Sequence, residues 1–172
     1  MKANNSFSWV ELLIVVAVVG IVGTISVPSW LRARVAGSDA SIVALLHAIN
    51  SAQSRYAVSC ANGYYAPTLA LLATPPATGG DHGFLGQDFE NDPSLKKSYS
   101  ITLTAGLEAP GVPAPCNGTV PGTVVMTYFV TAVPTNDGDH VFGTNQSGRV
   151  YQSNGPMKVT YSGVPFGASE IQ

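Results

Sequence analysis

The stretch "SFSWVELLIVVAVVGIVGTISVP", Ser6 to Pro28, is apolar almost throughout and carries one carboxylate, Glu11. The run from Leu12 to Val27, extended upstream by Trp9 and Val10, approaches the roughly 20 apolar residues that span a bilayer. A carboxylate in such a helix is costly unless a partner neutralises it. Either Glu11 has that partner, or it sits near a membrane interface where water lowers the cost. Lys2 is the only basic residue before the run, and no small-residue cleavage site of the A-x-A type ends it, so it does not read as an ordinary secretory signal.

A second helical pattern follows without a loop signal. In "PSWLRARVAGSDASIVALLHAINSAQSRY" the residues Val35, Ile42, Leu45, Ile49, Ala52 and Tyr56 recur at threes, fours and sevens, which places them along one face. Arg32, Arg34, Asp39 and Arg55 fall largely on other faces. The spacing therefore predicts one helix that leaves the apolar run and covers something with its stripe, roughly 80 Å from Phe7 to Cys60 if fully helical. Gly20, Gly23 and Pro28 weaken that helix; they serve either packing and a kink, or local unwinding.

Beyond Ala61 the chain is rich in Gly, Pro, Ser and Thr, and the patterns become those of strands. "SYSITLTAG" alternates Tyr99, Ile101 and Leu103 with small polar residues. "TVVMTYFVTAVP" is β-branched and aromatic and stops at Pro134. "HVFGTNQSGRVYQSN" predicts two strands joined by a turn at Gln146-Ser147-Gly148, and "MKVTYSG" a last edge strand. The expected fold class is α+β: a long N-terminal helix packed on a C-terminal antiparallel sheet, in one domain. Between helix and sheet, "ANGYYAPTLALLATPPATGGDHGFLGQDFENDPS" reads as a turn-rich connection with an apolar patch at Leu69 to Leu72.

With 172 residues, 10% of them charged, and a net charge of −2, the chain lacks the dense basic surface that nucleic-acid binding requires. Only Lys96-Lys97 forms a basic pair, and no direct nucleic-acid binding is expected. Cys60 and Cys116 belong to no CxxC or CxxCH pattern, which argues against zinc or covalent haem. In an exported domain they form one disulfide; otherwise they are two buried thiols. "TNDGDH", Thr135 to His140, has clustered acids but not the spacing of a calcium loop, so a hairpin turn is the better reading. His47, His82 and His140 are isolated and read as surface or capping residues, not ligands. Nothing resembles a nucleophile elbow or a paired-carboxylate site, so neither catalysis nor a cofactor nor a metal is expected. Asn117-Gly118-Thr119 and Asn145-Gln146-Ser147 fit the short glycosylation pattern.

Taken together, Phe7, Glu11, Gly20, Pro28 and "PSWLRAR" resemble the type IV pilin family, densely over Phe7 to Arg34. Looser matches lie in "AINSAQSRYAVSCANGYYAPTLALL" and "YFVTAVPTNDGDHVFGTNQSGRVY". The resemblance implies a leader at 1–6 cut between Ser6 and Phe7, and N-methylation of Phe7. It further implies a helix over 7–60 whose first part, 7–28, is transmembrane and later forms the filament core. An αβ-loop over 61–98 and a β-sheet head domain over 99–172 complete the expected layout. Ser6 stands where the family has glycine. If the prepilin peptidase accepts serine, the new Phe7 amine pairs with Glu11 of a neighbouring subunit and sets axial register; if not, Glu11 has no such partner. Gly20 and Pro28 would be the unwinding positions, and Cys60–Cys116 would brace the head.

The implied function is a structural subunit: a homopolymer held in the bacterial inner membrane before assembly, then an extracellular pilus serving adhesion, twitching motility or DNA uptake. The peptidase and the pilus assembly machinery are the implied partners. Charge places the membrane orientation near a tie between Lys2 and Arg32/Arg34; the resemblance puts the head outside the cytoplasm. The alternative is a pseudopilin of a type II secretion system, against which "GYYAPTL" lacks the tyrosine-proline signature. A tip-located minor pilin and a conducting filament are further, weaker alternatives.

Overall fold

A computed structural model describes residues 8–77, 79–96, 98–117, 123–136 and 140–171, with the side chains of 23–35 left aside. The chain divides into two compact units, residues 1–38 and 39–172. Helix α1 is assigned over Trp9–Ser59 and so contributes to both. The second unit is α+β: among the described residues, after α1 come a short helix α2 (Leu69–Ala73), a 3-10 turn at Gln87–Phe89, and six strands. These are β1 (Ser94–Lys96), β2 (Tyr99–Ala105), β3 (Tyr128–Pro134), β4 (Val141–Asn145), β5 (Val150–Ser153) and β6 (Ser169–Ile171). Each strand pairs antiparallel with its neighbour in sequence, giving one sheet in the order β1 to β6.

Within this unit the core lies between α1 and one face of the sheet. Ile42, Leu46, Ile49, Gln53, Tyr56 and Cys60 advance by alternating fours and threes, and all are buried. From the sheet, Tyr99, Ile101 and Leu103 of β2 share a cluster with Tyr128, Val130 and Ala132 of β3, Phe142 of β4 and Val150 of β5. Register explains the selection: Ile101 is opposite Ala132, Leu103 opposite Val130, and Thr144 opposite both Val130 and Val150, so the same face recurs across the ladder. Each large aliphatic buried here contributes about 1.5–3 kcal/mol relative to exposure. Of the predicted helix face, Ile42, Ile49, Ala52 and Tyr56 are buried. Leu45 is displaced to the flank, where it lines a groove with Phe89, and Leu46 takes the central place. Val35 lies among the side chains not described.

The outer face of the sheet is covered by the segment between β5 and β6. Met157 packs over Gly143 of β4, where an added Cβ would run into Met157 Sδ and the Phe129 ring. Tyr161 Oη donates to the Ala105 carbonyl at 2.8 Å, and Asn145 Nδ2 donates to the carbonyls of Thr160 (3.0 Å) and Gly163 (3.2 Å). This corrects the expected edge strand at "MKVTYSG". The segment crosses the sheet instead of lengthening it, because β6 already pairs with β5. The strand expected from "TVVMTYFVTAVP" begins only at Tyr128; Val125 makes isolated bridges to Tyr65 and Glu108. The turn-rich connection also holds more order than its composition implies. It contains α2, capped by Thr68, whose side chain accepts from Leu71 N–H at 3.1 Å, and it ends in β1.

The hairpin between β4 and β5 follows its sequence. Asn145 Oδ1 accepts from Ser147 N–H (3.0 Å), Gly148 N–H donates to the Asn145 carbonyl (3.0 Å), and Gly148 takes φ 77°. A side-chain carboxamide closing its own turn, followed by a left-handed glycine, is the local chemistry expected of such a turn.

Candidate functional site

The apolar run is described in its first part. Over Trp9–Val22 the large apolar side chains are exposed, Trp9 by 74% and Leu12 by 48%. Glu11 occupies the first turn of α1, where a negative charge faces the positive end of the helix dipole, a contribution of about 0.3–1 kcal/mol. A Cβ placed on Gly20 would meet nothing within 4 Å, so no contact within the described chain requires glycine there. The backbone of α1 includes Pro28, whose surroundings are not among those described. Ser6 and Phe7, the expected cleavage junction, lie outside the described residues, as does the expected leader 1–6. Among the described residues, no helix is long and apolar enough to cross a membrane. Within the predicted span 7–28 the side chains are described over residues 8–22.

At the other end of α1 the two cysteines meet. Cys60 and Cys116 form a disulfide that joins positions 56 residues apart in sequence and ties the helix end to the loop after β2. Closing a loop of that length stabilises the fold by about 4 kcal/mol in the chain-entropy treatment. Backbone bonds support the link: Cys116 N–H donates to the Cys60 carbonyl at 3.1 Å, and Ala77 N–H to the Cys116 carbonyl at 2.9 Å.

Helix α1 is also held to the sheet by polar contacts that sequence reasoning missed. Asn50, buried, donates from Nδ2 to Thr144 Oγ1 at 2.6 Å and accepts from the Tyr128 hydroxyl at 3.0 Å. Thr144 in turn donates to the Arg149 carbonyl at 2.7 Å. Burial raises the Tyr128 phenol well above its ordinary range, so it stays a donor. The Tyr56 phenol is pushed up to about 12 by burial, with the neighbouring Asn117 amide pulling slightly the other way. Neither Tyr56 Oη nor Asn117 Oδ1 meets hydrogen-bonding geometry.

At the first residue of the second unit, Asp39 uses both carboxylate oxygens. Tyr99 Oη donates to Oδ1 at 3.0 Å, and His140 Nδ1 lies 3.0 Å from Oδ2. Asp39, expected away from the packed face, is thus turned onto the sheet, and His140 has an acidic partner rather than standing alone. His47 and His82 are exposed.

Both glycosylation patterns are in the wrong place for modification. Asn145 is fully buried and tied to Thr160, Gly163 and Ser147; Asn117 is buried with Nδ2 donating to the Leu71 carbonyl at 2.9 Å. For the acid-rich turn, Asp137 to Asp139 lie outside the described residues, and among the described residues no three His, Cys, Asp or Glu side chains gather as metal ligands. Lys96 is described and Lys97 is not. Lys96 pairs with Asp88 at 3.1 Å and lies 4.8 Å from the Phe89 ring centre, beside a groove of about 380 Å³.

A scan against protein-family models, a search of curated proteins and a search of solved structures each returned no match.

Proposed function

We propose that this chain is a structural subunit of a type IV pilus, polymerising through its N-terminal helix with no catalytic step. The observation that carries the reading is the exposed apolar run of α1 with Glu11 in its first turn. In water an exposed apolar helix is strongly unfavourable, so the run belongs in lipid or among copies of itself. The reading takes the whole stretch 7–28 as membrane-held before assembly and as the filament core afterwards. Glu11 then pairs with the Phe7 amine of a neighbouring subunit, which removes the penalty each charge bears alone in an apolar core. Gly20 and Pro28 supply the places where the helix loosens. The head, braced by Cys60–Cys116, forms the outer shell.

The experiment that tests this is intact mass and N-terminal sequencing of the chain in a sheared surface-filament fraction. A mature start at methylated Phe7 is the expected result. An uncut chain beginning at Met1, found in membranes and absent from the sheared fraction, would overturn the assembly reading.

A further inference from the structure

We propose that Asp39, Tyr99 and His140 form a proton-sensitive clamp, which holds the first turn of the head's helix against the sheet more tightly when His140 carries a proton. The three residues come from α1, the start of β2 and the residue before β4, so their meeting fixes the helix at a point far from its neighbours in sequence. Tyr99 is fully buried, while the side chains of Asp39 and His140 are 20% and 38% exposed, which leaves the imidazole open to solvent protons. One turn further on, Ile42 enters the core; Ala36 and Gly37, before the clamp, are exposed.

The chemistry follows from the contact atoms. With His140 protonated, Nδ1–H to Asp39 Oδ2 is a charge-assisted bond, stronger than one to a neutral donor. Neutral imidazole keeps the contact only in the tautomer with its proton on Nδ1, and then without the charge. In the other tautomer a lone pair faces the carboxylate and the bond is lost. The Tyr99 bond to Oδ1 persists through the neutral range, so the clamp loosens and does not vanish.

Among the described residues, His140 also neighbours an aromatic ring and a groove of neutral side chains. The Phe142 ring stands 6.3 Å from the imidazole, and Phe142 in turn lies 6.0 Å from Tyr99. A groove of about 450 Å³ beside His140 is lined by the neutral side chains of Gln152, Ser153, Asn154 and Ser169. The facing titratable groups among the described residues are therefore Asp39 and Tyr99; Asp137 and Asp139, adjacent in sequence, lie outside the described residues. Histidine changes charge between about pH 5 and 8, where no other unperturbed side chain does. The inference rests on the head alone and stands whether or not the chain forms pili.

The test is amide hydrogen exchange on the full-length chain across about pH 5 to 8, read as protection factors so that intrinsic exchange chemistry is removed. Protection at residues 40–43 is expected to fall about two- to fivefold as pH rises across that range, the scale of a half-exposed ion pair. Protection at residues 52–56 in the same helix should stay level. His140→Gln, which retains a neutral donor, should give a flat profile at 40–43, and Asp39→Asn should do the same. A flat wild-type profile, a pH dependence that survives His140→Gln, or a change spread evenly along the helix would each overturn the clamp. Should either variant fail to fold, the wild-type profile decides, since a flat or uniform response there is already incompatible with a local device.

Discussion

Gln53 on α1 and Ala66 in the loop after it hold each other by two hydrogen bonds. Ala66 N–H donates to Gln53 Oε1 at 2.9 Å, and Gln53 Nε2 donates to the Ala66 carbonyl at 2.8 Å. Both residues are fully buried, so the carboxamide stands in for a strand that the loop does not have. Gln53→Leu keeps the volume but orphans a buried N–H and a buried carbonyl. It should lower stability by about 2–4 kcal/mol, measured by denaturant unfolding, whereas an exposed change such as His47→Leu should move it by about 0.5 kcal/mol or less.

Loss of the Cys60–Cys116 link should cost about 2–5 kcal/mol, seen as a lower unfolding temperature for Cys60→Ser/Cys116→Ser and for the reduced wild type alike. Unchanged stability in both would mean that the loop over residues 61–115 is held by its other contacts.

Alkali should unfold the head through its phenols. Tyr56 is raised from 10.0 to about 12, and Tyr128 is raised as well, so both are favoured neutral in the folded state. A raised folded value means that the stability they lend is complete below pH 10 and is lost as pH climbs toward about 12, because the unfolded chain releases those protons first. Phenolate absorbance should therefore appear late, together with loss of structure. Tyr56→Phe removes a hydroxyl without a hydrogen bond and should weaken this dependence at little cost near neutrality.

Gly143→Ala places a methyl against Met157 Sδ and the Phe129 ring and should destabilise by about 1–3 kcal/mol. Adding Met157→Ala should recover part of the loss. A double-mutant cycle with no coupling would show that Met157 does not rest on Gly143 in solution.

Under the pilus reading, Glu11→Ala should leave a folded head with normal thermal unfolding and few filaments. Normal piliation in cells carrying only that variant would defeat the pairing argument.

The helix stripe was readable because local spacing encodes it: Ile42, Ile49, Ala52 and Tyr56 fall on one face by geometry alone, and the burial follows. The step from Leu45 to Leu46 was not, since the two differ by about 100° around the axis and the choice depends on where Phe89 lies. Asp39 read as lying off the packed face, and Asn50 and Gln53 gave no signal, because their partners, His140, Thr144 and Ala66, are supplied by the tertiary fold. The alternation in "MKVTYSG" suits a strand, but the edge it needed is occupied by β6, so the same residues became a cover for the sheet. The cysteine pair was legible as a choice between two states, and the structure contains the disulfide. The expected cleavage junction at Ser6 and Phe7 would concern a reaction with another protein, which no intramolecular packing encodes.

Cys60 follows directly on the last residue of α1, so the covalent link begins where the helix ends. Tension entering the head along α1 would reach Cys60 and pass straight to Cys116, bypassing α2, β1, β2 and the loops between them. A chain pulled from its two ends could then lengthen only by what lies outside that bracket. The 56-residue separation withholds roughly 190 Å of slack at about 3.4 Å per residue. Reduction would hand that length back, and a single-molecule stretching trace would record the difference directly.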